Sequence, residues 1–218
     1  MGKILSVNLA VPEPNSAKAV GTTGINKRPV DGPVLVRAPG PKKVGLGSGL
    51  VGDQIFDLAH HGGDDQAVYA YAREDYDWWE AELGRPLPGG LFGENLTTVG
   101  LDVNGAVLGE RWQVGSELVL QTTFGRIPCA TFQVKMGLPR WLKRFTQAAR
   151  PGAYLRVVRP GQVRAGDEVT VSHRPEHGVT VAEGFRAWMS EPELLHRLLA
   201  VEEAPEELRE QVRRRLGV

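Results

Sequence analysis

The single thiol of this 218-residue chain, Cys129, lies in the run Arg126-Ile127-Pro128-Cys129. A guanidinium three residues away favours the thiolate, which is both a nucleophile and a soft-metal ligand, and Pro128 stiffens the approach. A lone cysteine also packs well as a small buried hydrophobe, and the residues alone leave both roles open. The run His60-His61-Gly62-Gly63-Asp64-Asp65 sets two imidazoles beside two carboxylates. Neighbours on a strand point to opposite faces, so an anion-holding turn is the stronger reading and a shared metal ion the weaker. Consecutive glycines let backbone N–H groups approach a ligand, and His adds a donor. Leu91-Phe92-Gly93-Glu94-Asn95-Leu96-Thr97 gathers carboxylate, amide and hydroxyl groups in one turn. Their ordinary use is bonding to nearby backbone. Lys27-Arg28-Pro29-Val30 puts two cations close to turns at Gly21 and Gly24, suited to clamping a phosphate or to lying on a surface loop. Gly47-Ser48-Gly49-Leu50-Val51-Gly52 spells G-x-G-x-x-G. Prolines precede it and a strand-like segment follows, so it reads as a flexible turn and not as a dinucleotide site.

The elements that must position these groups follow from composition and periodicity. Hydrophobic residues at 41% and charged residues at 24% are ordinary globular values and exclude a disordered chain. The 27 Gly and 15 Pro favour a turn-rich, strand-rich body. Lys+Arg and Asp+Glu balance at 26 each, which speaks against a broad nucleic-acid surface. One cysteine excludes an internal disulfide, a four-thiolate zinc site and a Cys-ligated iron–sulfur cluster, and fits a reducing cytosol. The start, Met1-Gly2-Lys3-Ile4-Leu5, turns polar at Ser6, and no 18-residue apolar run occurs. Neither a signal peptide nor a membrane span is expected, and the expected location is cytoplasmic.

Strands are expected at Lys3–Leu9, Pro33–Arg37, Gln54–Leu58, Ala67–Tyr71, Trp112–Thr123 around a turn at Gly115-Ser116, Tyr154–Val158 and Glu168–Ser172. Short strands separated by Gly and Pro suggest a barrel or sandwich. Two helices interrupt them. Arg73–Leu83 carries Tyr76, Trp79 and Leu83 on one stripe, and Pro139–Ala148 buries Trp141, Leu142 and Phe145. After a linker at His173–Gly178 come three short helices. The first spans Thr180–Met189, the second opens on a capping-box pattern at Ser190-Glu191-Pro192-Glu193, and the third runs from Pro205 to the Arg213-Arg214-Arg215 end. The expected fold is mainly β with α (α+β): a body over residues 1–174 and a three-helix module over 178–218, too small to be very stable alone and so docked on the body.

Several of these runs, taken in order, carry a resemblance. Thr23-Gly24-Ile25-Asn26-Lys27-Arg28-Pro29-Val30, Gly52-Asp53, His61-Gly62-Gly63 with Asp65 and Ala67-Val68-Tyr69-Ala70-Tyr71, Phe92-Gly93-Glu94-Asn95-Leu96-Thr97 and Pro128-Cys129 together resemble the MOSC family. Gly152-Ala153-Tyr154-Leu155-Arg156-Val157, Val163-Arg164-Ala165-Gly166-Asp167 and the terminal helices look like its YiiM-type branch. The resemblance implies a MOSC-type β-barrel with flanking helices plus a small C-terminal three-helix module. It implies the molybdenum cofactor, with Cys129 as protein ligand to Mo, and reduction of N-hydroxylated compounds. Cofactor contacts are then expected from Lys27, Arg28, His61, Gly62, Gly63, Phe92, Asn95 and Arg126. With one cysteine and no credible nucleotide fingerprint, separate flavin or iron–sulfur proteins are expected to supply electrons. Two alternatives stand beside this: sulfur transfer through a Cys129 persulfide, and a non-catalytic cofactor carrier. The chain departs from the family where Gly125 replaces a usual proline, and Pro39–Leu50 is longer and more Gly-rich.

Overall fold

The computed structural model describes all 218 residues, Met1–Val218. In chain order the elements begin with β1 (Gly2–Ala10), β2 (Glu13–Pro14), β3 (Thr22–Thr23), β4 (Lys27–Pro29), β5 (Val34–Val36), β6 (Val68–Ala72) and α1 (Arg73–Leu83). They continue with β7 (Leu96–Val99), β8 (Arg111–Val114), β9 (Leu118–Phe124), α2 (Ala130–Met136), α3 (Trp141–Ala148), β10 (Ala153–Arg159), β11 (Gly161–Val163) and β12 (Glu168–His173). The chain ends in α4 (Val181–Met189), α5 (Leu195–Leu199) and α6 (Glu206–Leu216).

Seven strands close into a barrel in the order β12-β8-β9-β10-β6-β7-β1, with β1 pairing back to β12. Each pairing is antiparallel except β6–β7. A parallel pair needs a crossover, and α1 provides it. Strand β1 shifts register between Ile4 and Ser6, and its far half takes on β4, pairing Ala10 with Lys27. That pairing brings Lys27 inward while Arg28 stays exposed. The barrel interior is filled by alternate apolar residues such as Ile4, Val68, Leu96, Trp112, Leu120 and Leu155, all at most 2% exposed.

A second core lies where α1, α2 and α3 pack together. Tyr71, Tyr76, Trp79, Phe92, Phe132, Trp141 and Phe145 interlock there, largely edge to face. Tyr76 and Trp79 are the buried stripe of α1, as their spacing predicts, while Leu83 is only half-buried. Helix α3 starts two residues later than expected because Arg140 takes a left-handed conformation, φ 54°. Its Leu142 is half-buried, unlike Trp141 and Phe145. The three terminal helices are docked, as expected. Val181, Ala187, Leu195, Leu198, Leu208 and Val212 belong to the same apolar cluster as the barrel interior, and Phe185 joins the aromatic core.

Two expectations fail. Gln54–Leu58 is an irregular loop, because no strand pairs with it and Asp53 and Asp57 at its ends are drawn to Lys27 and Lys18. The capping box at Ser190–Glu193 does not form. The Ser190 hydroxyl donates back to the Arg186 carbonyl at 3.5 Å, and the turn that begins at Pro192 has no side-chain cap. No helix is long and apolar enough to cross a membrane.

Candidate functional site

Cys129 sits where the chain leaves β9 and enters α2. Its backbone is extended, φ −127° and ψ 169°, at the residue that caps α2. The preceding Gly125 lies against Pro151, whose Cγ would be 2.8 Å from an added Cβ, so the departure from proline reflects lack of room. The thiol is half-buried and lines two cavities at once. The narrower, about 110 Å³, is also lined by Lys27, Asp53, Tyr69, Asn95 and Arg126, with Thr22–Gly24 in its wall. The wider, about 510 Å³, runs from the same thiol toward α6. His61, Gly62, Gln66 and Tyr154 share both cavities with Cys129.

Charge in the narrow cavity is organised around two cations with opposite situations. Lys27 is 7% exposed and paired with Asp53, Nζ–Oδ1 2.5 Å and Nζ–Oδ2 2.7 Å. Asp53 also accepts from the Ser48 hydroxyl at 2.7 Å, Asn95 Nδ2 at 2.9 Å and the Ala10 amide at 2.8 Å. Burial lowers the Lys27 pKa, while burial and Lys27 pull the Asp53 carboxyl in opposite directions and the lysine with its hydrogen bonds wins, holding it low. Arg126 is equally buried at 7% exposure, yet no carboxylate lies within 4.0 Å of it. Its Nη1 donates to the Phe92 carbonyl, its Cζ lies 4.4 Å from the Phe132 ring centroid, and its Nε has no partner. A buried cation lacking a counter-charge calls for an anion. The Cys129 thiol answers in part. Burial opposes its ionisation, but His61 and the Arg126 guanidinium outweigh burial and hold its pKa down at about 6.

The expected site residues separate under this geometry. Cys129, Arg126, His61, Gly62, Lys27 and Asn95 come together at the cavities. Gly63 reaches only the wider one. Arg28, expected among the cofactor contacts, is exposed on β4 and lines neither. Phe92 is fully buried in the aromatic core, so its ring touches neither cavity; what it contributes is the carbonyl that holds Arg126. The Gly62 and Gly63 amides are already committed, to Gln66 Oε1 at 3.2 Å and the Gly47 carbonyl at 2.9 Å. These glycines serve a close approach instead: both have φ above 80°, and a Cβ on Gly62 would sit 2.7 Å from the Gly47 carbonyl. No three His, Cys, Asp or Glu side chains gather as a metal cluster, so the paired histidines and aspartates do not form one.

Sequence reasoning missed several residues. Asp53 is the hub of the Lys27 network, and its partners Lys27 and Asn95 lie 26 and 42 residues away, beyond any local pattern. Glu94 is fully buried and accepts from the Gly90 amide, from Tyr76 Oη at 2.8 Å and from Thr97 Oγ1 at 2.8 Å, which fixes the loop carrying Phe92 and Asn95. Asn15, from the arm between β2 and β3, donates to Thr131 of α2 at 3.1 Å and closes one side of the narrow cavity. Helix α2 itself had a usable signal: Phe132 and Met136 are four apart, and Gly137 ends it left-handed at φ 63°.

Comparison with known proteins matches this architecture. The MOSC domain family profile fits residues 57–170. The uncharacterized protein YflK of Bacillus subtilis is 34% identical over 180 residues, which cover 82% of this chain and 76% of YflK. Protein YiiM of Escherichia coli is 30% identical over 158 residues, 70% of each chain. The crystal structure of YiiM from Geobacillus stearothermophilus superposes with a TM-score of 0.78 at 26% identity, over 99% of this chain and 100% of that one.

Proposed function

This chain belongs to the MOSC-domain family, in its YiiM-type branch, and on that footing we propose that it binds the molybdenum cofactor at Cys129 and reduces N-hydroxylated compounds from N–OH to N–H. MOSC domains as a family bind this cofactor. The observation that carries the proposal is the buried Arg126, with no carboxylate partner and a free Nε, beside a half-buried thiol whose pKa His61 and this cation lower. A phosphorylated pterin dithiolene brings the anion and the soft metal that this donor set suits. Asp53 already holds both Lys27 and the Asn95 amide, so Arg126, with its unpartnered Nε, is the group that remains for the pterin.

When bound, the cofactor would supply the two electrons that cleave the N–O bond; one proton goes to the departing hydroxyl, which leaves as water, and one to the nitrogen. The chain's own residues do the rest. Cys129, which lines both cavities, would hold the metal. His61 faces both cavities and is the ring suited to passing a proton to the departing oxygen. Tyr154, whose pKa burial raises, keeps its proton and walls the site. One cysteine cannot hold a cluster, so these 218 residues do not themselves supply the electrons; the donor this reading calls for is a flavin or iron–sulfur protein.

The test is turnover by protein made in a host that synthesises the cofactor, with a chemical electron donor and an N-hydroxylated substrate. Formation of the N–H product, lost in Cys129→Ser, supports the proposal; cofactor-loaded protein without turnover leaves a carrier. A second function draws on the same low thiol pKa: sulfur transfer through a Cys129 persulfide. It predicts persulfide at Cys129 in protein that holds neither molybdenum nor pterin.

A further inference from the structure

Charge is unevenly divided along this chain. Residues 118–166 carry nine Lys and Arg and no Asp or Glu, although the whole chain balances 26 cations against 26 acids. Cys129 and the two helices that follow it, α2 and α3, lie inside this segment. Folding neutralises part of it from outside: Lys135 meets Glu13 at 3.0 Å, Arg150 meets Asp75 at 2.7 Å and Arg156 meets Asp65 at 2.6 Å. At the start of α3 it does not. The side chains of Arg140, Lys143 and Arg144 have no carboxylate within 4.0 Å and no hydrogen-bond partner, and Arg140 and Lys143 are exposed. One aromatic layer separates this face from the thiol. Trp141, next in the chain to Arg140, packs on Phe132 with ring centroids 5.5 Å apart. The Phe132 ring in turn lies 4.4 Å from the Arg126 guanidinium, which lines the same cavity as Cys129. Helix α2, which leads from the thiol toward this face, has seven residues and is about 10 Å long.

We infer that the α3 face formed by Arg140, Lys143 and Arg144 docks an acidic electron-transfer protein and brings its redox centre within one aromatic layer of the Cys129 site. The inference rests on the reductase proposal above and names where the electron donor binds. A single-sign patch steers an oppositely charged partner and speeds its encounter. Each N–O bond cleaved takes two electrons, so a one-electron carrier is oxidised twice and must dock twice per turnover. A small charged face suits such short-lived complexes better than a broad apolar one. A nucleic acid fits less well, because the chain has no net basic charge and the nearby cations Lys135 and Arg150 are already paired.

The experiment compares cofactor-loaded wild type with Arg140→Glu/Lys143→Glu, using an acidic plant-type ferredoxin as electron donor and benzamidoxime as substrate. Reduced methyl viologen, which needs no docking face, is the parallel donor. Lys3→Glu is the control, an exposed charge on β1 about 20 Å along the strand from Ala10, the residue that pairs with Lys27. At low salt the double reversal should lower kcat/KM for ferredoxin by about tenfold and weaken its calorimetric Kd in step, with viologen-driven turnover, molybdenum and pterin retained. Wild type should lose most of the same advantage between about 20 and 300 mM salt. Arg140→Gln/Lys143→Gln, with a fall of about threefold, covers the case in which the double reversal fails to fold. A change below about twofold in both variants overturns the inference. So does an equal fall in Lys3→Glu, which would make net charge and not this face the cause, and so does poly(U) bound more tightly than ferredoxin, which would make it a nucleic-acid surface. If viologen drives no turnover, the reductase proposal falls separately and binding decides: ferredoxin held by wild type and released by the double reversal keeps the face, and no binding overturns it.

Discussion

The ionisation of Cys129 is the most exposed consequence of the site geometry. In cofactor-free protein His61 and Arg126 bring the thiol from an ordinary 9.0 to about 6. At pH 7 roughly nine molecules in ten then carry the thiolate, against roughly one in a hundred for an unperturbed thiol. That is nearly a hundredfold more nucleophile. Each thiolate is also weaker: with a Brønsted slope of about 0.5, three pH units cost roughly thirtyfold in intrinsic reactivity. The net gain in alkylation rate at pH 7 is only about threefold, so the rate at one pH decides little. The midpoint of the pH–rate curve decides. Alkylation by iodoacetamide, followed by mass spectrometry from pH 4.5 to pH 10, should rise with a midpoint near 6. His61→Ala and Arg126→Gln should each move it upward, because each removes a group that favours the thiolate. The folded pKa lies below the unfolded one, so between about 6 and 9 the folded protein binds fewer protons and its stability should rise with pH. A wild-type midpoint at 8.5 or above, or midpoints unmoved by both substitutions, would refute the electrostatic account of the site.

Two further substitutions separate function from folding. Arg126→Met exchanges an unpaired buried cation for an apolar side chain, so cofactor-free stability should change by no more than about 1 kcal/mol while pterin content falls sharply. Denaturant titration and pterin fluorescence measure the two, and retained pterin would contradict the role given to Arg126. Glu94→Ala leaves the Gly90 amide and the Tyr76 and Thr97 hydroxyls without their acceptor, a loss of about 3–5 kcal/mol. A loss below about 1 kcal/mol would show that Glu94 does not hold its loop.

What was legible in the sequence was what is periodic or adjacent. Helix α1 spans Arg73–Leu83, as its Tyr76 and Trp79 stripe indicates, and the two strands around Gly115-Ser116 come out as β8 and β9. Cys129 and Arg126 were legible as a pair because they are three residues apart. Short strands were not: β4 has three residues and no alternation to detect, and its meaning depends on β1 across the sheet. The ion pair that engages Lys27 was hidden for the same reason, since Asp53 reaches it only through folding. Phe92 looked available in its Gly-flanked turn. Packing by Tyr71, Tyr76 and Phe132, with rings 4.8–5.2 Å apart, is what removes it from the site.

The central claim is that Cys129 ligates a molybdenum cofactor. Protein produced in a cofactor-synthesising host should carry molybdenum and pterin in near-equal amounts, close to one per chain. Cys129→Ser should fold normally and lose most of the metal. Wild type with neither metal nor pterin, or a Cys129→Ser protein that keeps full molybdenum and activity, would contradict it.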